Sequence, residues 1–144
     1  MKRLYTISTI LVSLFLLTSR CSNPATPNKE TLVRKLITAP FNPGEYSIFW
    51  NGKDDDKNYV SPGKYYCDLY ETTTGDTIHM TVLEGGEIPE YQSEIPEYIG
   101  PRSASVVLLF DNSPDPFHVK QGTYIHFNIA YATSIRLTIH SLEE

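Results

Sequence analysis

Alternation between apolar and polar side chains is the main pattern along this chain, and it is clearest in residues 46–51 and 64–71. A period of two residues is typical of a β-strand with one buried face. The residues between the two segments are rich in Asn, Gly, Asp and Pro, which favour turns. The pattern therefore predicts two strands joined by an acidic turn. The side chains predicted to face the core are Tyr46, Ile48, Trp50, Tyr65, Cys67 and Leu69.

Further segments of strand length alternate in the same way or are almost entirely apolar, and none has a convincing helical pattern. Turn-forming residues separate them. The chain therefore predicts an all-β fold, an Ig-like or fibronectin type III-like β-sandwich of about seven strands, over residues 31–144. The additional strands are predicted at residues 32–38, 77–83, 104–110, 123–130 and 134–141.

Residues 84–103 interrupt the strand pattern and contain the pentapeptide E-I-P-E-Y twice, seven residues apart. Prolines within the segment disfavour a helix, and the residues before them prefer an extended backbone. We expect a long loop whose sequence the core does not need, so that residues 87–99 could be replaced by a Gly/Ser linker. The segment is either a solvated linker or a partner-binding segment with Tyr91 and Tyr98 as aromatic anchors.

Residues 1–20 have the organisation of an export signal. Lys2 and Arg3 precede an apolar run at residues 10–17, which is too short to span a bilayer stably. We expect a signal peptide over residues 1–20 and a flexible tether over residues 21–30.

The end of this signal, L-T-S-R-C, resembles the lipobox of bacterial lipoproteins. The resemblance implies lipidation of Cys21, which would become the new N-terminus and anchor the protein in a membrane of the bacterial cell envelope. Arg20 departs from the pattern, because Gly, Ala or Ser is usual at that position. Ordinary signal-peptide cleavage followed by secretion is the alternative.

Charge limits the partners that the mature chain is expected to bind. Removal of residues 1–20 leaves nine basic residues against 17 acidic ones, a formal net charge of −8. Proteins that bind nucleic acid or anionic lipid headgroups usually carry a basic patch, so neither is an expected partner.

With Cys21 acylated, Cys67 has no intramolecular disulfide partner, and its inward position is typical of a buried thiol. Without acylation, a Cys21–Cys67 disulfide is conceivable.

The turn region W-N-G-K-D-D-D-K-N-Y-V-S-P-G-K-Y-Y resembles the FlgD-type Ig-like domain of flagellar hook-capping proteins and other bacterial surface proteins. The residues that match the family pattern are Trp50, Gly52, Asp54, Val60, Gly63 and Tyr65. A second region, which begins L-L-F-D-N-S-P-D-P-F, resembles the opening of the same family's repeat and the start of type IX secretion C-terminal sorting domains. That half precedes the Trp half in those families and follows it here, which implies a permuted sandwich or two partial modules. The family implies a scaffold or assembly module.

Residues of reactive type are present, but none has the spacing of an active site. Asp54, Asp55 and Asp56 begin like a calcium loop, yet the positions that need Gly and Glu hold Tyr59 and Tyr65. We therefore expect a turn whose side chains cap backbone amides. Alternation places His79, His126, His140 and Asn128 on outward faces, and two imidazoles alone make a poor zinc site. The sequence predicts no catalytic residue, no cofactor and no metal site.

The expected role is that of a non-catalytic Ig-like module in the bacterial envelope, with a structural or protein-interaction function and other envelope or surface proteins as partners. Two alternatives are a carbohydrate- or ligand-binding β-sandwich and a secretion-sorting module. Ten tyrosines motivate the carbohydrate alternative. A row of exposed aromatic rings on one sheet face would favour it, whereas buried or scattered tyrosines favour the structural role.

Overall fold

Nine strands and no helix form the part of the chain that the computed structural model describes, residues 30–90 and 92–142. The strands are β1 (Glu30–Phe41), β2 (Gly44–Trp50), β3 (Gly63–Tyr70), β4 (Gly75–Leu83), β5 (Glu97–Gly100), β6 (Leu108–Leu109), β7 (Phe117–His118), β8 (Thr123–Ile129) and β9 (Thr133–Leu142). The predicted signal peptide, the tether up to residue 29, Cys21 and Tyr91 lie outside these residues. No described residue belongs to a helix long and apolar enough to cross a membrane.

The strands form two sheets, which confirms the prediction of an all-β, sandwich-like fold. The first sheet has the order β1-β9-β3-β4-β7, antiparallel except for the short parallel β4–β7 pair. The second sheet has the order β5-β2-β8-β6 and is antiparallel throughout. The last strand therefore pairs with the first, and β9 lies between β1 and β3.

One core fills the space between the two sheets, and both halves of the chain contribute to it. Trp50 is completely buried, and its ring lies 5.9 Å from that of Tyr65 and 5.6 Å from that of Phe117. The predicted inward positions are confirmed, since Tyr46 packs against the core and the others belong to it. Further core residues from the second half are Leu109, Ile125, Phe127, Ile129, Ile135, Leu137 and Ile139.

All seven predicted strands coincide with an observed strand, but two strands were missed and one is shorter. Strand β5 lies inside the segment predicted as a loop, and β7 lies between the strands predicted at residues 104–110 and 123–130. The strand predicted at residues 104–110 is reduced to Leu108–Leu109. Its first residues instead bond to the Asn128 side chain, whose amide donates to the carbonyls of Ala104 and Val106. Hydrogen bonds from the Asn128 side chain thus take the place of backbone pairing at Ala104 and Val106.

Candidate functional site

The Trp-containing motif builds a turn. The indole Nε1 of Trp50 donates a 2.9 Å hydrogen bond to the Lys53 carbonyl oxygen, and the Val60 amide donates to the Gly52 carbonyl over 2.9 Å. Gly52 has a φ of +72°, and a Cβ there would lie 2.1 Å from the Val119 carbonyl oxygen. The Tyr65 hydroxyl donates to the Ser61 carbonyl at 2.6 Å, which closes the turn on its far side. These contacts hold the fold together and present no reactive group.

The acidic turn covers part of the outer edge of β1. Asp54 Oδ1 accepts from the Asn58 amide at 2.9 Å, which confirms the expected capping. Asp55 Oδ1 accepts a hydrogen bond from the Lys35 amide, and the Asp55 amide donates one to the Val33 carbonyl oxygen. Each of these hydrogen bonds is 3.1 Å long. Edge strands with unpaired backbone groups invite pairing with other chains, so this turn protects β1. Within the described ranges, no group of three or more potential metal ligands occurs.

Arg34 connects three parts of the chain, and sequence reasoning missed it. Its guanidinium donates to the Asp54 carbonyl through Nη1 and to Glu94 Oε2 through Nη2, each at 3.0 Å. Asn51 donates to the other oxygen of the same Glu94 carboxylate. Pairing shifts on both sides of Arg34 reorient the side chain. The sequence feature that could have indicated this role is the Arg34-Lys35 pair, because two consecutive charged residues break the alternation expected of a strand.

The repeat segment lies against the second sheet. Ser47 and Phe49 point away from the core by alternation, yet they are only 8% and 4% exposed. The Tyr124 hydroxyl on the neighbouring strand donates a 2.6 Å hydrogen bond to Gln92 Oε1, which holds the segment above this face. The segment is therefore a structural cover, and we revise the expectation that residues 87–99 can be replaced without effect.

The isoleucines of the two repeat copies are largely exposed to solvent. Ile88 in the first copy is 69% exposed and Ile95 in the second is 75% exposed, whereas isoleucine is among the most buried residue types. Tyr98 and Ile99 of β5 are 58% and 49% exposed. We call Ile88, Ile95, Tyr98 and Ile99 the repeat surface.

Tyr98 occupies the edge of the second sheet, and strand pairing fixes its position. It is the register partner of Tyr46, and the two rings meet edge to face with centroids 5.6 Å apart. Gly44 leaves room for its ring, because a Cβ there would lie 2.6 Å from Tyr98. The predicted anchor Tyr98 is thus partly packed and partly available. The other predicted anchor, Tyr91, is outside the described residues.

Among the residues that the structure describes, the exposed tyrosines do not form a row on one sheet face. They lie on separate loops and strands and on both sheets: Tyr59, Tyr70, Tyr98, Tyr124 and Tyr131. Tyr65 and Tyr66 are buried. A row of exposed rings on one sheet face would have favoured carbohydrate binding, whereas this scattered distribution favours a structural or interaction role.

Two of the histidines flank one tyrosine on the outer face of the first sheet. The His140 ring stacks on the Tyr66 ring at 4.9 Å, and His79 lies 6.3 Å from the same ring on the opposite side. His126 lies in the second sheet beside Tyr124. Strands β8 and β9 belong to different sheets and do not form a hairpin, so His126 does not lie opposite His140.

The perturbed pKa values have structural causes. Burial raises the pKa of the Cys67 thiol well above its usual range, aided by the nearby Asp68 charge, so this thiol is protonated and a poor nucleophile. Burial also raises the pKa values of Tyr65 and Tyr66. The Tyr131 hydroxyl, and then that of Thr74, lower the pKa of the Glu71 carboxyl by donating hydrogen bonds to it. These shifts do not converge on one cleft.

Comparison with known protein families, curated proteins and solved structures finds no match to this chain.

Proposed function

We propose that this protein is an exported, non-catalytic Ig-like module, anchored in the bacterial envelope by a lipid on Cys21, that binds another envelope protein through the repeat surface. The observation that carries the proposal is the paired exposure of Ile88 and Ile95, at 69% and 75%. Burial of such apolar side chains drives protein association.

The repeat surface is positioned well enough to bind without a large ordering cost. Glu94 is held by Arg34 and Asn51 immediately before Ile95, and Gln92 is held by Tyr124. Strand β5 then fixes Tyr98 and Ile99 through its pairing with β2. Preorganisation of this kind leaves more of the contact energy available as affinity.

Charge around the repeat surface indicates the chemistry of the partner. The two copies contribute Glu87, Glu90, Glu94 and Glu97, of which Glu94 is paired with Arg34. An apolar groove with a basic rim on the partner would complement this arrangement, and the acidic groups would favour such a partner over others. The family resemblance to surface-protein modules supports the same role.

A site-specific photocrosslinker tests this proposal in cells. Benzoylphenylalanine at position 95 should crosslink one envelope protein, whereas the same group at Val106, which is 57% exposed and outside the repeat, should not. Ile88→Ser with Ile95→Ser should abolish capture of that protein by the tagged mature chain and leave the thermal midpoint unchanged. Equal crosslinking from both positions, or capture that survives the double substitution, would refute the proposed surface.

A further inference from the structure

The outer face of the first sheet carries a groove that the repeat surface does not reach. It runs across β1, β9 and β3, and its volume is about 400 Å³. Pocket volumes of roughly 300–1,000 Å³ are typical of small-ligand sites, so the groove can hold a ring-sized ligand. Its polar lining consists of Lys35, Asp68, Tyr70, Arg136, Thr138 and His140.

Strand register arranges these side chains in two adjacent rows. Lys35, Thr138 and Asp68 are register partners across β1, β9 and β3 and form the first row. Arg136 and Tyr70, each two residues away along β9 and β3, are partners in the second row. Residues diagonal to each other on neighbouring strands lie about 7–8 Å apart. Lys35 and Arg136 are therefore close enough for both to contact one ligand.

The two cations of the groove, Lys35 and Arg136, have no acidic partner among residues 30–90 and 92–142, where the ion pairs of Lys and Arg side chains involve Arg34. The Arg136 guanidinium carbon lies 5.4 Å from the Tyr70 ring centroid, which orients its planar fork. A guanidinium fork matches a carboxylate in bidentate geometry. Two cations at diagonal positions, with no acidic partner among the described residues of a chain with a net negative charge, indicate an anionic ligand.

Asp68 restricts what kind of anion fits. Its Oδ1 accepts from the Thr77 hydroxyl, and its Oδ2 lies 3.8 Å from His140 Nε2. The same ring nitrogen lies 2.9 Å from Thr138 Oγ1. A carboxylate in the groove disfavours a compact dianion such as phosphate and offers an acceptor to hydroxyl groups of a ligand. The groove therefore combines a cationic end with a hydrogen-bond acceptor.

We infer that this groove binds an acidic saccharide, with the sugar carboxylate on Arg136 and Lys35 and a sugar hydroxyl on Asp68. The Arg136 guanidinium lies over the Tyr70 ring, so the ring positions the guanidinium. In this groove, charge and hydrogen bonds would recognise the sugar, so the site does not require a row of exposed tyrosines. The inference is independent of the repeat surface, which belongs to the other sheet.

Titration of the mature chain with trigalacturonate tests the inference, with neutral galactotriose and inorganic phosphate as parallel probes. We expect saturable binding of trigalacturonate and no measurable binding of the other two. Arg136→Gln should weaken binding by about ten- to hundredfold, because hydrogen bonds between charged groups contribute about 1.5–3 kcal/mol. Lys35→Gln should weaken it less, and Lys120→Gln, the same charge change outside the groove, should leave it unchanged.

Each alternative outcome overturns the inference in a distinct way. Equal binding of galactotriose would show that charge plays no part, and equal binding of phosphate would show a general anion site. No binding of trigalacturonate, or unchanged binding by both folded groove variants, would show that the groove is not a saccharide site. Asp68→Asn removes the charge that disfavours a compact dianion and keeps an acceptor oxygen, so we expect this variant to bind phosphate measurably and to retain trigalacturonate binding. Exclusion of phosphate as complete as in the wild type would refute the role of Asp68 in selecting the anion.

Discussion

The Trp50 indole donates a hydrogen bond to the carbonyl oxygen of Lys53, three residues further along the chain, at 2.9 Å. The same ring is completely buried between Tyr65 and Phe117. One side chain thus fills the core and closes the turn that begins beside it.

Replacement of Trp50 by Ala should therefore cost about 3–5 kcal/mol, the range for large aromatic truncations in a core. A domain of this size has about 5–15 kcal/mol in total, so the urea midpoint should fall sharply. Trp50→Phe keeps most of the packing and loses the hydrogen bond, and it should cost less than Trp50→Ala. A solvent-exposed emission maximum in the folded wild type would contradict the assignment.

Gly52 and Gly100 form a matched pair for testing the turn. Gly52→Ala should cost about 1–3 kcal/mol through its positive φ alone, and more because the new Cβ would meet the Val119 carbonyl. Gly100→Ala should be nearly neutral, since a Cβ there meets no atom within 4 Å. Equilibrium unfolding of both variants checks the pair, and equal losses would mean that the turn geometry is wrong.

Asn128 is fully buried on the outward face of β8, and its side chain satisfies three backbone groups. It accepts from the Ser103 amide at 2.9 Å and donates to Ala104 and Val106. Asn128→Ala leaves these groups without their partner, at a cost of about 1–3 kcal/mol. Faster hydrogen exchange at Ser103 should accompany the loss. Asn42→Ala, at an exposed position, is the control, and an equal effect there would contradict the assigned role.

Glu71 makes stability depend on pH. It is 4% exposed, and hydrogen bonds from Tyr131 and Thr74 lower its pKa below the ordinary 4.5. A depressed folded-state pKa contributes stability that is present above pH 4.5 and is lost as pH falls through the folded-state pKa. The difference in unfolding midpoint between wild type and Tyr131→Phe should therefore be large near pH 7 and shrink below pH 4.5. A difference that stays constant with pH would show that Glu71 is not its source.

Cys21 should carry the lipid that the L-T-S-R-C run implies. Metabolic labelling with an alkyne fatty acid should mark the wild type and not Cys21→Ser. Equal labelling of both proteins would contradict the prediction. Absence of label from both would instead favour secretion after ordinary cleavage.

Side-chain alternation predicted the strands well because each has one face on the core. Ile48, Leu69, Ile125 and Leu137 are all buried as expected. Alternation also placed the thiol of Cys67 correctly, with no exposed surface. The acidic turn followed from local chemistry, because Asp54 caps an amide only four residues away.

The features that were missed depend on contacts between residues distant in sequence. Strand β5 has the composition of a loop and is a strand because β2 offers a free edge beside it. Phe49 and Asn128 face outward by alternation and are buried by residues distant in sequence. Gln92 is held above the face of Phe49, and Ser103, Ala104 and Val106 bond to Asn128. The roles of Arg34 and the groove around Arg136 depend on strand order, which a single sequence does not specify.

The position of β9 has a consequence for when the protein can fold. This strand follows the other eight described strands, yet it pairs with both β1 and β3 in the first sheet, so β1 has no partner in that sheet until β9 is available. Pairing across such a separation is slow, because the loop-closure entropy comes before the contacts that compensate it. A chain still emerging from the ribosome therefore cannot complete the first sheet, which favours the unfolded state that can thread through a narrow translocation channel. On the proposed route, we expect this topology to postpone folding until after export.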